Sequence, residues 1–275
     1  MELEAQKKES ANASWGKVFQ AGYKINIDAL KPGLEKGSVL LGGEAVFGPN
    51  YTSLSGSYFR EISATGEVLL DVSHTERNYA IEYNDLLSTT SGYWAAGRKA
   101  WYSGDKWKNQ GLIVKCDKNG KRIFSKSKGD IGHDDFVSLV EASNGAVIAF
   151  GTYSLNGDER AWAIRYDKNG NVEWEKLFYG KFNYGKKALL AADGNIWLLT
   201  GSEQNETGVI KISEGGEVLK SSIYTKSNLK FDSSNKENYT DVQDAFIDNN
   251  RALWIVHDAQ YKNSEGWYKG YNLLR

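Results

Sequence analysis

The stretch Ala161–Phe178, which reads AWAIRYDKNGNVEWEKLF, predicts a strand, a tight turn and a second strand. Alternating side chains precede the turn at Asp167–Gly170, where the aspartate starts the turn and the glycine suits a left-handed backbone position. The second strand carries the pattern Trp-x-Lys-x-Phe in Trp174–Phe178. This hairpin gives a template that can be sought elsewhere in the chain.

The same turn recurs three more times, at Ser63–Gly66, Asp117–Gly120 and Ser213–Gly216. A second hairpin accompanies each copy, as in Val137–Val140 with Val147–Gly151. Four strands in each repeat of roughly 40–50 residues are typical of the blade of a β-propeller.

A fifth copy is divided between the two ends of the chain. Gly266–Arg275 resembles the first half of the template, and Trp15–Phe19 repeats the Trp-x-Lys-x-Phe pattern of the second half. Pairing these segments would remove exposed sheet edges. We therefore predict an all-β fold: a five-bladed β-propeller of four-stranded antiparallel blades, closed by pairing of the N- and C-terminal strands. Residues 1–12 are expected to be a polar leader, and residues 13–275 a single propeller domain.

Composition excludes several classes of function. The 275 residues carry a net charge of −1 without a basic cluster, so nucleic acid is not an expected partner. No run of 18 apolar residues predicts a transmembrane segment, and no intact signal peptide is visible. We expect a monomer without a cofactor or metal, secreted, periplasmic or lipid-anchored after removal of a signal that this chain does not contain. Cys116 has no disulfide partner and is interpreted as a packed core residue.

Two repeats also carry a resemblance to a known group of proteins. The unit with Gly111, Lys115, Asp117, Gly120, Phe124 and Lys126, and its sibling around Trp162–Lys176, resemble the repeats of bacterial secreted or lipoprotein β-propellers. The resemblance implies the five-bladed fold and no particular chemistry, since such repeats serve many functions.

Aromatic residues mark one face of the predicted propeller. The loops between the second and third strands of each blade, and those between blades, are long and varied, so functional variation is expected there. Tyr and Trp on such loops suit both sugar stacking and protein contacts, although several of them are equally expected to pack over blade ends. The ligand-binding candidates are Trp101, Tyr102, Trp107, Tyr153, Tyr184, Tyr261 and Trp267.

A second candidate site is a ring of polar residues near the starts of the innermost strands. Such side chains would approach the central channel, where they would hold a cation or, more simply, be hydrated. The ring consists of Asp28, Asp85, Ser138, Lys187 and Asp244. His133–Asp135 is a weaker metal candidate, because His74 and His257 have no spacing that completes a site.

We expect a non-enzymatic binding module, because no complete catalytic constellation is visible. The first hypothesis is protein–protein interaction through the aromatic face, as in an inhibitor, an immunity-type protein or an assembly factor. The alternative is a carbohydrate-binding propeller or a glycoside hydrolase that uses the channel carboxylates. The expected partner is accordingly a protein or a glycan.

Overall fold

A computed structural model describes residues 24–46, 55–104, 106–155, 157–202, 206–225, 239–263 and 266–274; side chains of 24, 46, 131, 239–241 and 258–274 lie outside this description. These residues form twenty β-strands and one short 3₁₀ turn at Ser143–Gly145. No helix in these ranges is long and apolar enough to cross a bilayer.

The strands are grouped into five antiparallel sheets that follow one another along the chain. The first contains β1 (Lys24–Ile25), β2 (Ala29–Pro32), β3 (Val39–Val46), β4 (Ser55–Ile62) and β5 (Val68–His74). The second contains β6 (Ala80–Thr89), β7 (Gly92–Ser103), β8 (Lys106–Cys116) and β9 (Arg122–Gly132). The third contains β10 (Asp135–Glu141), β11 (Val147–Leu155), β12 (Asp158–Tyr166) and β13 (Val172–Leu177). The fourth contains β14 (Tyr184–Leu190), β15 (Ile196–Gly201), β16 (Thr207–Ile212) and β17 (Val218–Tyr224). The last contains β18 (Tyr239–Ile247), β19 (Leu253–Asn263) and β20 (Gly266–Leu274).

The predicted four-stranded antiparallel sheets are confirmed for the second, third and fourth sheets, whose strands pair in sequence order. In the first sheet β1 and β2 both pair with β3, so together they form an interrupted innermost strand. The described part of the last sheet has three strands. Pairing of Trp15–Phe19 with this sheet falls on residues outside the description, as does the predicted leader at residues 1–12.

The core lies between neighbouring sheets. Each junction holds its own cluster of buried apolar side chains; the second and third sheets, for example, meet around Trp94, Phe136 and Trp162. The rings of Phe136 and Trp162 stack with their centroids 4.7 Å apart. Cys116 is buried in the cluster between the first two sheets, in agreement with a packing role. Each sheet therefore packs face to face with the next, and the innermost strands are brought side by side.

Candidate active site

Four innermost strands share one backbone irregularity. The pairing register shifts between Tyr83 and Asp85 in β6, and at the corresponding place in β10, β14 and β18. A β-bulge of this kind bends the strand and re-aims the side chains beside it. The bulges divide the polar residues of these strands into two layers, one on each side of the irregularity.

The layer after the bulges contains Asp85, Ser138, Lys187 and Asp244, together with Lys31 from β2. We call these five residues the lower ring. Lys31 Nζ lies 2.8 Å from Asp85 Oδ1, and Lys187 Nζ lies 2.7 Å from Asp244 Oδ1. Burial acts to raise the pKa of Asp244, but the hydrogen bond from Lys187 holds that pKa below its usual value. Both acids of the lower ring are thus matched by lysines.

Hydrogen bonds of the lower ring also connect neighbouring sheets. Asp85 Oδ2 accepts the backbone N–H of Leu139 at 2.8 Å and faces Ser138 Oγ at 3.4 Å. Ser138 Oγ in turn accepts the N–H of Ala188 at 3.1 Å. These contacts link β6, β10 and β14, so the residues predicted as a channel ring hold the innermost strands together.

Asp28 is not brought to the other four predicted ring residues. Its Oδ2 accepts the N–H of Glu44 at 3.2 Å within the first sheet. Partial burial raises the pKa of Asp28, and the nearby Glu44 carboxylate raises it further, while Arg98 acts in the opposite direction. Asp28 therefore belongs to a different group of charges, in the layer before the bulges.

That group, which we call the mouth cluster, consists of Asp28, Glu44, Glu82, Arg98 and Asp135. Glu82 and Arg98 are register partners on β6 and β7, and Arg98 Nη2 lies 2.6 Å from Glu82 Oε2. Arg98 Nε donates to the same oxygen at 2.7 Å. Burial nevertheless raises the pKa of Glu82, and the carboxylates of Glu44 and Asp28 add to this rise.

Asp135 is the first residue of β10, and its carboxyl group feels the charge of Arg98. Its Oδ1 is buried and has no hydrogen-bond partner among the described residues. Burial raises the pKa of Asp135 to about 6, against the opposing effects of Arg98, Thr152 and Lys186. Arg98 thus influences carboxyl groups on two neighbouring innermost strands.

Clustered acids with raised pKa values are characteristic of catalytic sites. The mouth cluster combines Asp135, whose pKa burial raises to about 6, with Glu82, which is hydrogen-bonded to an arginine. Such a pair can supply a general acid and a base or nucleophile. In the described residues no three His, Cys, Asp or Glu side chains are placed to hold a metal ion.

The aromatic candidates are dispersed over several hairpins. Tyr102 and Trp107 are 59% and 57% exposed at the end of the β7–β8 hairpin, whereas Trp101 packs edge-on against Tyr79. Tyr153 packs on Trp162 and donates a hydrogen bond to Asp130.

The other aromatic candidates lie on innermost or C-terminal strands. Tyr184 begins β14, at the position that Asp135 has in β10. Tyr261 and Trp267 lie on β19 and β20, and their side chains are outside the description. A ligand-binding role for the aromatic set stays a prediction.

The members of the predicted His133–Asp135 group face different surroundings. Asp135 joins the mouth cluster, while Asp134 is fully buried and its Oδ1 accepts the N–H of Ser154 at 2.7 Å. Burial raises the pKa of Asp134 to about 7. His133 Nδ1 lies 3.2 Å from Asn109 Oδ1. The three side chains do not converge on one point.

Sequence reasoning missed Glu44, Glu82 and Arg98 as site residues. A signal was present, because Glu82 precedes Asp85 by the same three residues that separate Asp135 from Ser138. The bulges that make this spacing meaningful become visible only in the pairing register.

The fold matches that of solved structures. The chain is 10% identical to the periplasmic gluconolactonase of Pseudomonas aeruginosa, with a TM-score of 0.59 over 93% of this chain and 73% of that one. The chain is 12% identical to Sqt1 from Chaetomium thermophilum, with a TM-score of 0.50 over 92% of this chain and 62% of that one. The chain therefore spans less than two thirds of Sqt1. An endo-arabinase from Bacteroides thetaiotaomicron is 12% identical, with a TM-score of 0.48 over 92% of this chain and 95% of that one.

The fold is a β-propeller. At these identities the likeness shows the fold alone. No protein-family model matches the sequence, and no curated protein matches it.

The comparison corrects the expectation of a non-enzymatic binding module. The structure with the highest of the three TM-scores, the gluconolactonase, is that of an enzyme. The interpretation as a non-enzymatic protein inhibitor, immunity-type protein or assembly factor is therefore not retained, because the same fold also serves an enzyme. The physical reason for the error is that the sequence did not reveal which acids meet at the mouth cluster.

Proposed function

We propose that this protein is a glycoside hydrolase whose acid and carboxylate partner are Asp135 and Glu82 of the mouth cluster. The observation that carries the proposal is the Asp135 carboxyl group, whose Oδ1 is buried without a partner among the described residues and whose pKa is influenced by the same Arg98 that binds Glu82. The assignment replaces the channel carboxylates Asp85 and Asp244. Lysines pair with both, and the pKa of Asp244 is lowered by Lys187, whereas the pKa of Glu82 is raised although Arg98 pairs with it.

Glycoside hydrolysis requires two carboxyl groups in different protonation states. Asp135 in its protonated form would donate a proton to the leaving-group oxygen. Glu82 in its ionised form would activate water or attack the anomeric carbon, and Arg98 would favour its ionised form. Asp28 and Glu44 add negative charge near Glu82, which suits stabilisation of a positively charged sugar transition state.

The proposal predicts a dependence on pH. Since burial raises the pKa of Asp135 to about 6, the fraction of enzyme with a protonated acid falls as the pH rises through this value. We expect turnover to decline on the alkaline side of about pH 6. The Asp135→Asn variant would lack this limb of the profile.

The decisive experiment compares wild type with Asp135→Asn, Glu82→Gln and Asp244→Asn on nitrophenyl glycosides and soluble polysaccharides. Loss of the acid or of its partner should lower kcat by about 100-fold or more. Asp244→Asn is the matched control, because Asp244 is a carboxylate of an innermost strand outside the mouth cluster. Unchanged turnover in Asp135→Asn and Glu82→Gln would refute the assignment.

We also propose that Trp15–Phe19 forms the fourth strand of the last sheet beside β20, so that residues 13–275 make one five-bladed ring. The contact between successive sheets supports this. A Cβ atom on Gly120, Gly170 or Gly216 would meet side chains of the preceding sheet's outermost strand, for example Phe124 at 2.5 Å from Gly170. Gly66, the corresponding turn glycine of the first sheet, is buried as well. Trp15 and Lys17 have the sequence spacing of the residues that would cover it.

Finally, we propose that the chain is a monomeric member of the bacterial secreted or lipoprotein propellers, exported to meet a glycan. The repeat motif at Gly111–Lys126 supports the family assignment, and a polymeric substrate fits an extracytoplasmic location. Cell fractionation of the source organism is expected to recover the protein outside the cytoplasm. Light scattering is expected to show a single, monomeric species. Recovery with the cytoplasmic enzymes would contradict the location.

A further inference from the structure

The β7–β8 hairpin extends beyond the sheet on the side of the mouth cluster. Its pairing continues from Arg98–Gly111 to Ser103–Lys106, whereas the β15–β16 hairpin ends at Gly201–Thr207. At about 3.3 Å per residue, the four steps from Arg98 to Tyr102 place the hairpin end about 13 Å from the mouth cluster. We call residues 101–104 and 106–107 the tip hairpin.

The tip hairpin presents two aromatic rings to solvent. Tyr102 and Trp107 are direct cross-strand partners, and their ring centroids are 5.5 Å apart in an edge-to-face arrangement. More than half of each side chain is exposed. A Cβ atom on Gly104 would meet nothing within 4 Å, so the turn stands clear of the described parts of the chain.

The base of the tip hairpin is held in place. Trp101 packs edge-on against Tyr79, and Lys99 Nζ lies 3.8 Å from the centre of the same ring. Lys99 also forms a 2.5 Å ion pair with Glu76. The exposed pair is therefore presented on a supported hairpin, which reduces the entropy lost when a ligand binds.

We infer that Tyr102 and Trp107 form a secondary glycan-binding subsite that holds a polysaccharide chain whose cleaved bond lies at the mouth cluster. This inference rests on the proposed hydrolase function. Aromatic rings offer apolar faces for the C–H surfaces of sugars, and the phenol hydroxyl of Tyr102 and the indole N–H of Trp107 offer polar groups for sugar hydroxyls. The separation of about 13 Å makes the ligand a chain of several sugar units rather than a monosaccharide.

The test is affinity electrophoresis in gels containing arabinan, xylan or polygalacturonate, with Asp135→Asn as the parent so that no polysaccharide is consumed. When Trp107→Ala is combined with this parent substitution, the affinity for the polysaccharide that retards the parent should fall about tenfold. Addition of Phe246→Ala is the matched control. Phe246 is 48% exposed and stacks on its cross-strand partner Trp254, but it lies after the bulge of β18, whereas the mouth cluster lies before the bulges.

Retardation of the Trp107→Ala protein equal to that of the parent would overturn the inference, and so would the absence of retardation in all three gels. A different set of results would refute the proposed hydrolase function alone. If turnover of wild type and Asp135→Asn were equal while Trp107→Ala still lost retardation, the glycan subsite would stand and the catalytic assignment would fall.

Discussion

Asp134 shows how one buried carboxyl group can make stability depend on pH. Its side chain is fully buried, and Oδ2 has no hydrogen-bond partner among the described residues. Burial raises the pKa of Asp134 to about 7, although the N–H of Ser154 acts in the opposite direction. Because the folded pKa lies above the unfolded one, the neutral form favours folding at low pH, and this contribution is lost as the pH rises through about 7.

Asp134→Asn should therefore raise the free energy of unfolding at pH 8, by on the order of a few kcal/mol, and have little effect near pH 4. Urea denaturation at the two pH values measures this. Asp193→Asn is a control of opposite sign, because the hydrogen bond from Lys211 lowers the pKa of Asp193 to about 2. A stabilisation by Asp134→Asn that is the same at both pH values would contradict this account.

At the scale of strands and turns, the sequence predicts more of the fold than of the site. The turns ending in Gly66, Gly120, Gly170 and Gly216 are predicted by their own residues, because each glycine has a positive φ near 80°. Glu82 and Asp135 are separated by two hairpins along the chain, so their common relation to Arg98 depends on packing between sheets. No local pattern encodes that relation.

A comparison of Gly170 with Gly194 distinguishes the cost of a left-handed backbone in a turn from the cost of a contact with the neighbouring sheet. Both have φ +77°, but a Cβ atom on Gly170 would meet the Phe124 ring, whereas one on Gly194 would meet nothing within 4 Å. Gly194→Ala should cost about 1 kcal/mol for the left-handed conformation. Gly170→Ala should cost about 1–3 kcal/mol more, because Phe124 must move.

Thermal unfolding of the two alanine variants measures the difference. Lys126 Nζ also donates to the Gly170 carbonyl at 2.5 Å, so a shift of this turn would strain a second contact. Equal melting temperatures for the two variants would mean that the neighbouring sheet adapts without cost.

At the scale of the whole molecule, two deletions distinguish the proposed closing strand at Trp15–Phe19 from the proposed polar leader at residues 1–12. Deletion of residues 1–12 should leave the melting temperature nearly unchanged, because those residues lie outside the proposed strand. Deletion of residues 1–19 should destabilise the protein strongly and leave the edge of β20 open to pairing with another chain. Calorimetry and light scattering measure both effects.

Trp15→Ala in the full-length protein tests the same closure without shortening the chain. It should lower the melting temperature if Trp15 covers Gly66, as Trp174 covers Gly216. A full-length Trp15→Ala protein and a 1–19 deletion that both melt like wild type would show that the ring does not need the N-terminal strand.

The repeated bulge fixes the position of a side chain in the innermost strand, whatever the chemical type of that side chain. In three consecutive innermost strands it is followed by Asp85, Ser138 and Lys187, and Glu82, Asp135 and Tyr184 stand three residues before these. An acid, a hydroxyl group or an amine can thus occupy equivalent positions without altering the hydrogen-bonded backbone. Duplicated units of this kind can diverge one at a time, so new substrate preferences can arise by point substitution in a single unit while the others preserve the scaffold.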